Sequence, residues 1–313
     1  MKITVLDAGS LGDDLSLTPL EAFGEVKVFR ASTPEEAIVR ASDTDILIQN
    51  KVKITADVLS AAKNLRLICE AATGYDNIDL AAARERGIAV CNVPGYSGPS
   101  VAQVTVAMAL SLMTHLPAFC HHVASGAYSR GTDANYLVPV YHELAGKTWG
   151  VVGYGTIGKQ VAKVAEALGC RVLVCRRSGG EGCVDIDTLC READLISLHT
   201  PLTDETRGMI DARRLSLMKD GAILINMARG AVTDEEAVAQ AIEDGKLGGL
   251  GADVYSVEPF GETHPFYRIK ERENVYLTPH MSWGAYESRV RCLSVICENI
   301  AAFLRGEKKN RVD

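Results

Sequence analysis

Three residues with useful chemistry stand in loops that follow apolar runs in the C-terminal half of the chain. They are Arg229 in Asn-Met-Ala-Arg-Gly230, Glu258 in Asp-Val-Tyr-Ser-Val-Glu-Pro259, and His280 in Thr-Pro-His280. A guanidinium offers two parallel N–H donors that match a carboxylate. An imidazole passes protons near neutral pH, and a carboxylate behind it fixes its orientation and favours the charged form. As a set they suit acid–base chemistry on a small carboxylic acid. Singly, each has a plainer reading: a surface arginine, a solvated glutamate before proline, a satisfied structural histidine. Ligands of open α/β sheets bind beyond the carboxyl ends of strands, so all three are expected to point at one crevice.

A second chemical pattern is Gly153-Tyr-Gly155-Thr156-Ile157-Gly158. Thr148 to Val152 before it reads as a strand. The run to Leu168 after it reads as a helix, with Ile157, Val161, Val164 and Leu168 on one face. Cys170 to Cys175 reads as a second strand. This is the setting in which such glycines bind a dinucleotide. Gly153 permits the tight turn, Gly155 lets the backbone approach a pyrophosphate, and Gly158 lets the helix lie close to the strand. The pyrophosphate then sits on the free N–H groups and the positive end of the helix. The second strand of such a unit normally ends in Asp or Glu, which holds the ribose 2′-hydroxyl. Here it ends Cys175-Arg176-Arg177-Ser178. Two guanidinium groups and a hydroxyl suit a 2′-phosphate, so NADP(H) is favoured. NAD(H) remains possible if Arg176 points to solvent or stacks on the adenine.

These groups need a scaffold. A chain of 313 residues predicts two domains. Through the first ninety residues short apolar strands (Ile3–Asp7, Val26–Phe29, Ile46–Ile48, Leu67–Cys69, Ile88–Cys91) alternate with helices at Pro34–Ala41, Ala56–Ala62 and Leu80–Arg86. Gly9-Ser-Leu-Gly12 has the wrong spacing for a phosphate loop and reads as an ordinary turn. The turn-rich stretch Asn92 to Pro99 marks a domain crossing. Ser100 is expected to cap a long helix running to about His115, before Pro117. Residues 117 to 147 read as an irregular arm that packs on a partner subunit, so a homodimer through 99–147 is expected. After the glycine loop, strands are expected at Leu195–Leu198, Ala222–Asn226, Gly249–Ala252 and Val275–Leu277, with helices at Asp211–Leu217 and Asp234–Asp244. A last helix from about Trp283 to Leu304 could carry the chain back. The expected fold class is α/β, with two doubly wound parallel-sheet domains and an active-site cleft between them. Residues 1–98 and 286–313 form a flavodoxin-like substrate domain, and 99–285 a Rossmann-like dinucleotide domain.

Composition narrows the class. The chain is 47% hydrophobic and 23% charged with net charge −7, which argues against nucleic-acid or anionic-membrane partners. No apolar run is long enough to span a bilayer, and the N-terminus reads as a strand, not a secretion signal. Nine cysteines, without a C-x-x-C pair, read as reduced thiols of a cytoplasmic protein, with no metal site.

Several motifs taken in order resemble the D-isomer-specific 2-hydroxyacid dehydrogenase family across almost the whole chain. They are Ala-Ala-Thr73-Gly74-Tyr-Asp-Asn-Ile-Asp79, Arg-Gly-Ile-Ala-Val-Cys-Asn-Val-Pro94-Gly-Tyr-Ser97, the glycine loop, His199-Thr-Pro-Leu-Thr203 with Thr206 and Ile210, Asn226-x-Ala-Arg229-Gly, Asp253-Val-x-x-x-Glu258-Pro and Thr278-Pro-His280. The resemblance implies roles. Arg229 would bind the substrate carboxylate and polarise the carbonyl, His280 would be the acid–base, and Glu258 would pair with it. Asp253 would hold the nicotinamide carboxamide, and Thr156, Ile157, Thr200, Pro201, Thr206 and Met227 would join the glycines around the cofactor. Backbone amides around Thr73 and Gly74, near Lys51 and Val52, would complete the carboxylate site. Trp283 either closes the pocket over a short side chain or is a core residue at a helix start.

Within the family, Asn50-Lys51-Val52, Ala71-Ala-Thr-Gly74 and Pro279-His-Met-Ser-Trp283-Gly look most like glycerate dehydrogenases, also called hydroxypyruvate reductases. The implied reaction is NAD(P)H-dependent reduction of hydroxypyruvate or glyoxylate to the D-2-hydroxy acid, and its reverse. The alternatives are a D-lactate-type 2-oxo acid reductase and a non-catalytic dinucleotide sensor of the co-repressor type. The sequence departs from the family at Gln103, where many members have Glu, and at Arg176, where many have Asp. It ends at Asp313 after the returning helix, so the regulatory domain of long phosphoglycerate dehydrogenases is not expected.

Overall fold

Two separate parallel sheets account for the alternation of apolar runs and amphipathic helices. A computed structural model describes residues 1–313. The chain divides into two units, Met1–Ser97 with Gly284–Asp313, and Gly98–Trp283.

In the first unit the strands are β1 (Lys2–Val5), β2 (Glu25–Val28), β3 (Ile46–Gln49), β4 (Leu67–Glu70) and β5 (Ala89–Cys91). They pair in parallel in the order β2-β1-β3-β4-β5. Every residue of β3 and β4 is buried, as central strands covered on both faces require. Helix α1 (Pro34–Ala41) starts on a capping box between Thr33 and Glu36, with proline in its first turn. Helix α2 is Ala56–Ala61. Helix α3 (Leu80–Glu85) is capped by Asp79, which accepts from the Ala82 N–H at 2.9 Å, and Gly87 follows it at φ +68°.

The second unit opens with α4 (Gly98–Thr114), α5 (Leu116–Ala124) and α6 (Ala127–Arg130). Its strands are β6 (Thr148–Val152), β7 (Arg171–Cys175), β8 (Leu195–Leu198), β9 (Ala222–Asn226), β10 (Leu247–Ala252) and β11 (Val275–Leu277), in the parallel order β11-β10-β9-β8-β6-β7. Helices α7 (Thr156–Ala167), α8 (Ile186–Glu192), α9 (Ala212–Leu217) and α10 (Glu235–Glu243) connect them. Trp149 on β6 is fully buried, and its indole N–H donates to Ser197 Oγ at 3.0 Å. Helix α4 lies on β9 and β10, where Gly249 and Gly251 leave room for Leu112 and Met108. Helix α11 (Tyr286–Leu304) belongs to the first unit. There Asn299 Nδ2 donates to the Asn92 carbonyl at 3.0 Å, and the chain end follows with Val312 N donating to Val90 O at 3.0 Å.

The structure corrects four local expectations. Helix α4 starts at Gly98, so Ser100 does not cap it; the Ser100 hydroxyl donates to the Ser282 carbonyl at 2.5 Å. Residues 117–147 are not wholly irregular, because Pro117 sits in the first turn of α5, where its missing N–H costs nothing. Helix α8, capped by Asp185, stands where no helix is expected. The last helix begins at Tyr286, not at Trp283. No single helix is long and apolar enough to cross a membrane.

Candidate active site

The glycine loop lies where the second sheet changes direction. Strand β6 has β7 on one side and β8 on the other, so loops leaving β6 and β8 flank a crevice. Gly153 has φ +91°, and a Cβ there would stand 2.5 Å from the His199 carbonyl oxygen. A Cβ on Gly158 would stand 2.0 Å from the Gly153 oxygen. Only glycine fits either place. Gly155 differs: a Cβ there would meet nothing within 4 Å. Its bareness leaves open space at the start of α7, which has no side-chain cap and no acid in its first turn. The first N–H groups of that helix are therefore donors available to an anion, and the residues fit a pyrophosphate.

The other residues assigned to the cofactor are distributed around this loop. Thr156 is exposed, and Ile157 packs on a core cluster that also holds Met227, 6% exposed. Thr200 is half-buried and Pro201 exposed. Thr206 is buried, accepts from the Thr203 N–H at 2.7 Å and donates to the Pro201 carbonyl at 2.7 Å, so it shapes the 201–206 turn. Arg176, Arg177 and Ser178 lie exposed beyond β7, and Arg176 Nε donates to the Gly179 carbonyl at 2.6 Å. Both ring nitrogens of His199 are buried without a hydrogen-bond partner, and burial pushes its pKa down to about 3.

Strands β9, β10 and β11 are neighbours, and their carboxyl ends carry Arg229, Asp253 with Glu258, and His280. The Asn226 side chain closes the loop at Arg229: its Oδ1 accepts from Ala228 N at 3.0 Å and its Nδ2 donates to Arg229 O at 3.0 Å. Glu258 Oε2 faces His280 Nδ1 at 2.7 Å, and Glu258 Oε1 accepts from the Tyr255 N–H at 3.0 Å. The carboxylate is thus held at both oxygens, and the imidazole has its Nε2 edge left for a ligand. His280 itself sits at φ +50°, a left-handed position that turns the loop sharply.

Asp253 performs a task in the fold that its motif does not reveal. It is fully buried; Oδ1 accepts from Thr278 Oγ1 at 2.6 Å and from Met281 N at 2.9 Å, and Oδ2 accepts from Ser282 N at 3.0 Å. It fastens the loop that presents His280. Trp283 is half-buried and packs against the cluster containing Met108, Ile225 and Met227. Gly230 and Tyr255, which lie inside the Arg229 and Glu258 motifs, and Glu235 and His264, which lie in none, complete the surroundings.

In the first unit, Lys51 is exposed and Val52 buried, on the loop that follows β3. Asp7, beyond β1, accepts from Asn50 N at 3.0 Å and Lys51 N at 2.6 Å. Asn77 Nδ2 lies within hydrogen-bond distance of Gln49 Oε1, Asn50 O and Val52 O, at 3.1, 3.1 and 3.2 Å. The Thr73 hydroxyl donates to Val93 O at 2.9 Å, and Thr73 O accepts from Asn92 Nδ2 at 2.8 Å. The backbone N–H groups of Thr73 and Gly74 take no partner within the chain. Glu70, the last residue of β4, is fully buried; its Oε2 accepts from Gln49 Nε2, and its Oε1 has no partner. Burial, and then the charge of Asp7, push its pKa up to about 9.

Comparison with known proteins identifies the family. Residues 106–282 match the family model of the D-isomer specific 2-hydroxyacid dehydrogenase NAD binding domain. The whole chain is 36% identical to a glycerate dehydrogenase of Methylorubrum extorquens, covering 99% of it. It is also 36% identical to a hydroxypyruvate reductase of Blautia hydrogenotrophica, with both chains fully covered. Among solved structures, an acyclic imino acid reductase in complex with NADPH and D-Arg superposes over 100% of both chains with TM-score 0.88 at 30% identity. The D-lactate dehydrogenase of Aquifex aeolicus, complexed with NAD and lactic acid, does so over 100% of this chain and 99% of its own, with TM-score 0.85 at 30% identity. The chain belongs to the D-isomer specific 2-hydroxyacid dehydrogenases, oxidoreductases that use a nicotinamide dinucleotide.

Proposed function

We propose that this protein reduces a small 2-oxo acid, hydroxypyruvate ahead of glyoxylate, to the D-2-hydroxy acid and runs the reverse oxidation. The observation that carries this is the 2.7 Å pair of His280 and Glu258, one strand removed from Arg229. When bound, the reduced nicotinamide supplies the hydride to the 2-carbonyl carbon. Negative charge then grows on the carbonyl oxygen, and Arg229 with the His280 imidazolium stabilises it. Glu258 occupies Nδ1, so Nε2 of His280 delivers the proton. In the first unit, the free N–H groups of Thr73 and Gly74 suit a carboxylate. A dinucleotide sensor has no need of a proton donor held in this way, and the paired His280 argues against that reading.

The choice of hydroxypyruvate rests on relatives named glycerate dehydrogenase and hydroxypyruvate reductase. A panel of hydroxypyruvate, glyoxylate, pyruvate and phenylpyruvate tests it; a preference for pyruvate or phenylpyruvate would move the protein to the D-lactate type. For the mechanism, His280→Ala should lower kcat for reduction by about 10²–10⁴-fold while dinucleotide affinity stays. Arg229→Ala should also raise KM strongly. Near-parental turnover of His280→Ala would sink the assignment.

The cofactor reading favours NADPH. Arg176 and Arg177 stand at the end of β7 where an acid would repel a 2′-phosphate, and Arg176 is steadied through Nε, which leaves its terminal nitrogens for a ligand. kcat/KM should be higher with NADPH than with NADH, Arg176→Asp should reverse the order, and added salt should shrink the gap. Equal or better kinetics with NADH at low salt would refute it.

Within residues 99–147, Leu116, Val123, Leu137, Val138, Val140 and Tyr141 are exposed, a surface suited to a second copy of the chain. Sedimentation should report a dimer, and a monomer at micromolar concentration would exclude it. Cys69, Cys91, Cys170, Cys190 and Cys292 are buried free thiols, in keeping with the reducing cytoplasm.

A further inference from the structure

We infer that Glu235 is a positioning residue for the proton donor: through Ser256 it fixes the backbone that orients Glu258 against His280. The inference rests on the role proposed above for that pair.

Glu235 opens α10, next to Glu236, in a stretch where acids normally face solvent and the helix dipole. It does not face solvent here, being only 7% exposed. Its Oε1 accepts from Ser256 N at 2.9 Å, its Oε2 accepts from the Ser256 hydroxyl, and His264 Nε2 meets Oε2 at 3.0 Å. His264 is also buried, and its Nδ1 accepts from the Phe266 N–H at 3.1 Å. With Nδ1 an acceptor, Nε2 must carry the ring proton and donate it to Glu235. The carboxylate therefore has three donors and no freedom to turn.

The segment it grips is the one on which the active groups depend. Ser256 is joined directly to Tyr255, whose N–H orients Glu258 and whose hydroxyl donates to the Thr278 carbonyl at 2.8 Å, two residues before His280. On the other side of the same backbone lies Gly230, where a Cβ would stand 2.0 Å from both Ser256 N and Tyr255 C. The segment is thus clamped between the residue after Arg229 and the Glu235 carboxylate. A shift of the Tyr255 N–H would release one oxygen of Glu258 and let the carboxylate rotate off Nδ1. The titratable groups around this segment are Asp253, Glu258 and Glu235; after burial, their charges push the Tyr255 hydroxyl well above its usual range. His264, Arg229 and His280 complete the set.

Glu235→Gln is the test, since it keeps the shape but sets an amide N–H against one of the donors. Four measurements are made on the parent, Glu235→Gln, Glu258→Gln and the double variant: kcat and KM for hydroxypyruvate, the pH profile of reduction, dinucleotide affinity by fluorescence titration, and the melting temperature. Glu235→Gln should lower kcat about tenfold with KM and dinucleotide affinity unchanged. It should move the alkaline limb of the reduction profile to lower pH, in the same direction as Glu258→Gln, because the imidazolium loses its facing anion. In the double variant the two effects should not multiply, as expected of residues that act through one another. A merely structural role would lower melting temperature and leave the pH profile in place; that result, or multiplicative losses, overturns the inference while the His280–Glu258 reading stands. An unmoved profile for Glu258→Gln itself would overturn both.

Discussion

The two sheets share a topological feature and use it in opposite ways. Each reverses direction beside its first strand, between β1 and β3 in one unit and between β6 and β8 in the other. Such points open a crevice at the carboxyl ends of the strands. In the second unit the crevice is kept bare: Gly155 leaves open space and α7 starts with uncapped donors. In the first unit donors on the other side of the reversal point, after β3, are already spent. The Asp7 carboxylate takes the N–H groups of Asn50 and Lys51. One reversal point keeps its N–H groups for an anion that arrives; the other has its anion built in and gains a rigid Asn50–Val52 loop. Doubly wound topology provides the place, and the side chain after the strand decides whether it is a site.

The sharpest way to break this comparison is to fill the open crevice. Gly155→Val should fold normally, since nothing of the protein stands within 4 Å of its Cβ position, but it should weaken dinucleotide binding by about tenfold or more, about 1.4 kcal/mol. Gly153→Ala is the contrast. Its Cβ would collide with the His199 carbonyl at a positive φ, so melting temperature should fall along with binding. Calorimetric titration with melting curves separates the two. A Gly155→Val variant that binds the nicotinamide dinucleotide as the parent does would show that the open space is not the ligand's.

The next test exchanges carboxyl for amide at two buried positions of the filled unit. Asp7→Asn replaces an acceptor by an amide N–H that faces backbone donors, and should cost about 1–3 kcal/mol at neutral pH. Glu70→Gln should do the reverse. Glu70 has an unpaired Oε1, and its pKa is raised from 4.5 to about 9, so between those values the folded chain holds a proton that the unfolded chain has lost. Stability therefore declines as pH rises across that window. Glutamine keeps the shape and removes the titration, so the melting temperature of Glu70→Gln relative to the parent should climb from pH 5 to pH 9. A gap independent of pH would mean that Glu70 is not held protonated.

The contrast also explains what was legible in the sequence. Gly153 and Gly158 could be read because their need is local: a positive φ and a close helix leave glycine alone. Arg229, Glu258 and His280 could be read because their chemical types are unusual after apolar strands. Asp253, Glu235 and Glu70 could not be read for what they do in the fold. Each is an acid whose partners lie 21 or more residues away, and most of those partners are backbone N–H groups or amide side chains that leave no mark on composition. Glu235 in Asp-Glu-Glu has the pattern of a solvated helix start, and only the approach of Ser256 and His264 makes it buried. Helices α5 and α8 were missed for a smaller reason. Pro117 is equally a helix end or a helix beginning, and α8 is only 7 residues long.

The effect confined to acid pH belongs to the histidine beside the open reversal point. His199 directly follows β8, and its backbone rests against Gly153. Its ring has two buried nitrogens and no partner, and burial lowers its pKa from 6.5 to about 3. Below 6.5 the unfolded chain takes up a proton that the folded chain refuses, so stability falls as pH drops from about 6.5 towards 3. At pH 7 to 8 the group is neutral in both states and contributes no slope. His199→Gln abolishes the titration. Its melting temperature relative to the parent should therefore be flat from pH 7 to 8 and rise steadily as the pH is lowered to 4. Asp7 and Glu70, whose titrations burial raises in the other unit, remain unchanged in both proteins and cancel from the difference. A difference that stays constant down to pH 4 would mean that the His199 ring finds a partner or water in solution and is not held neutral by burial.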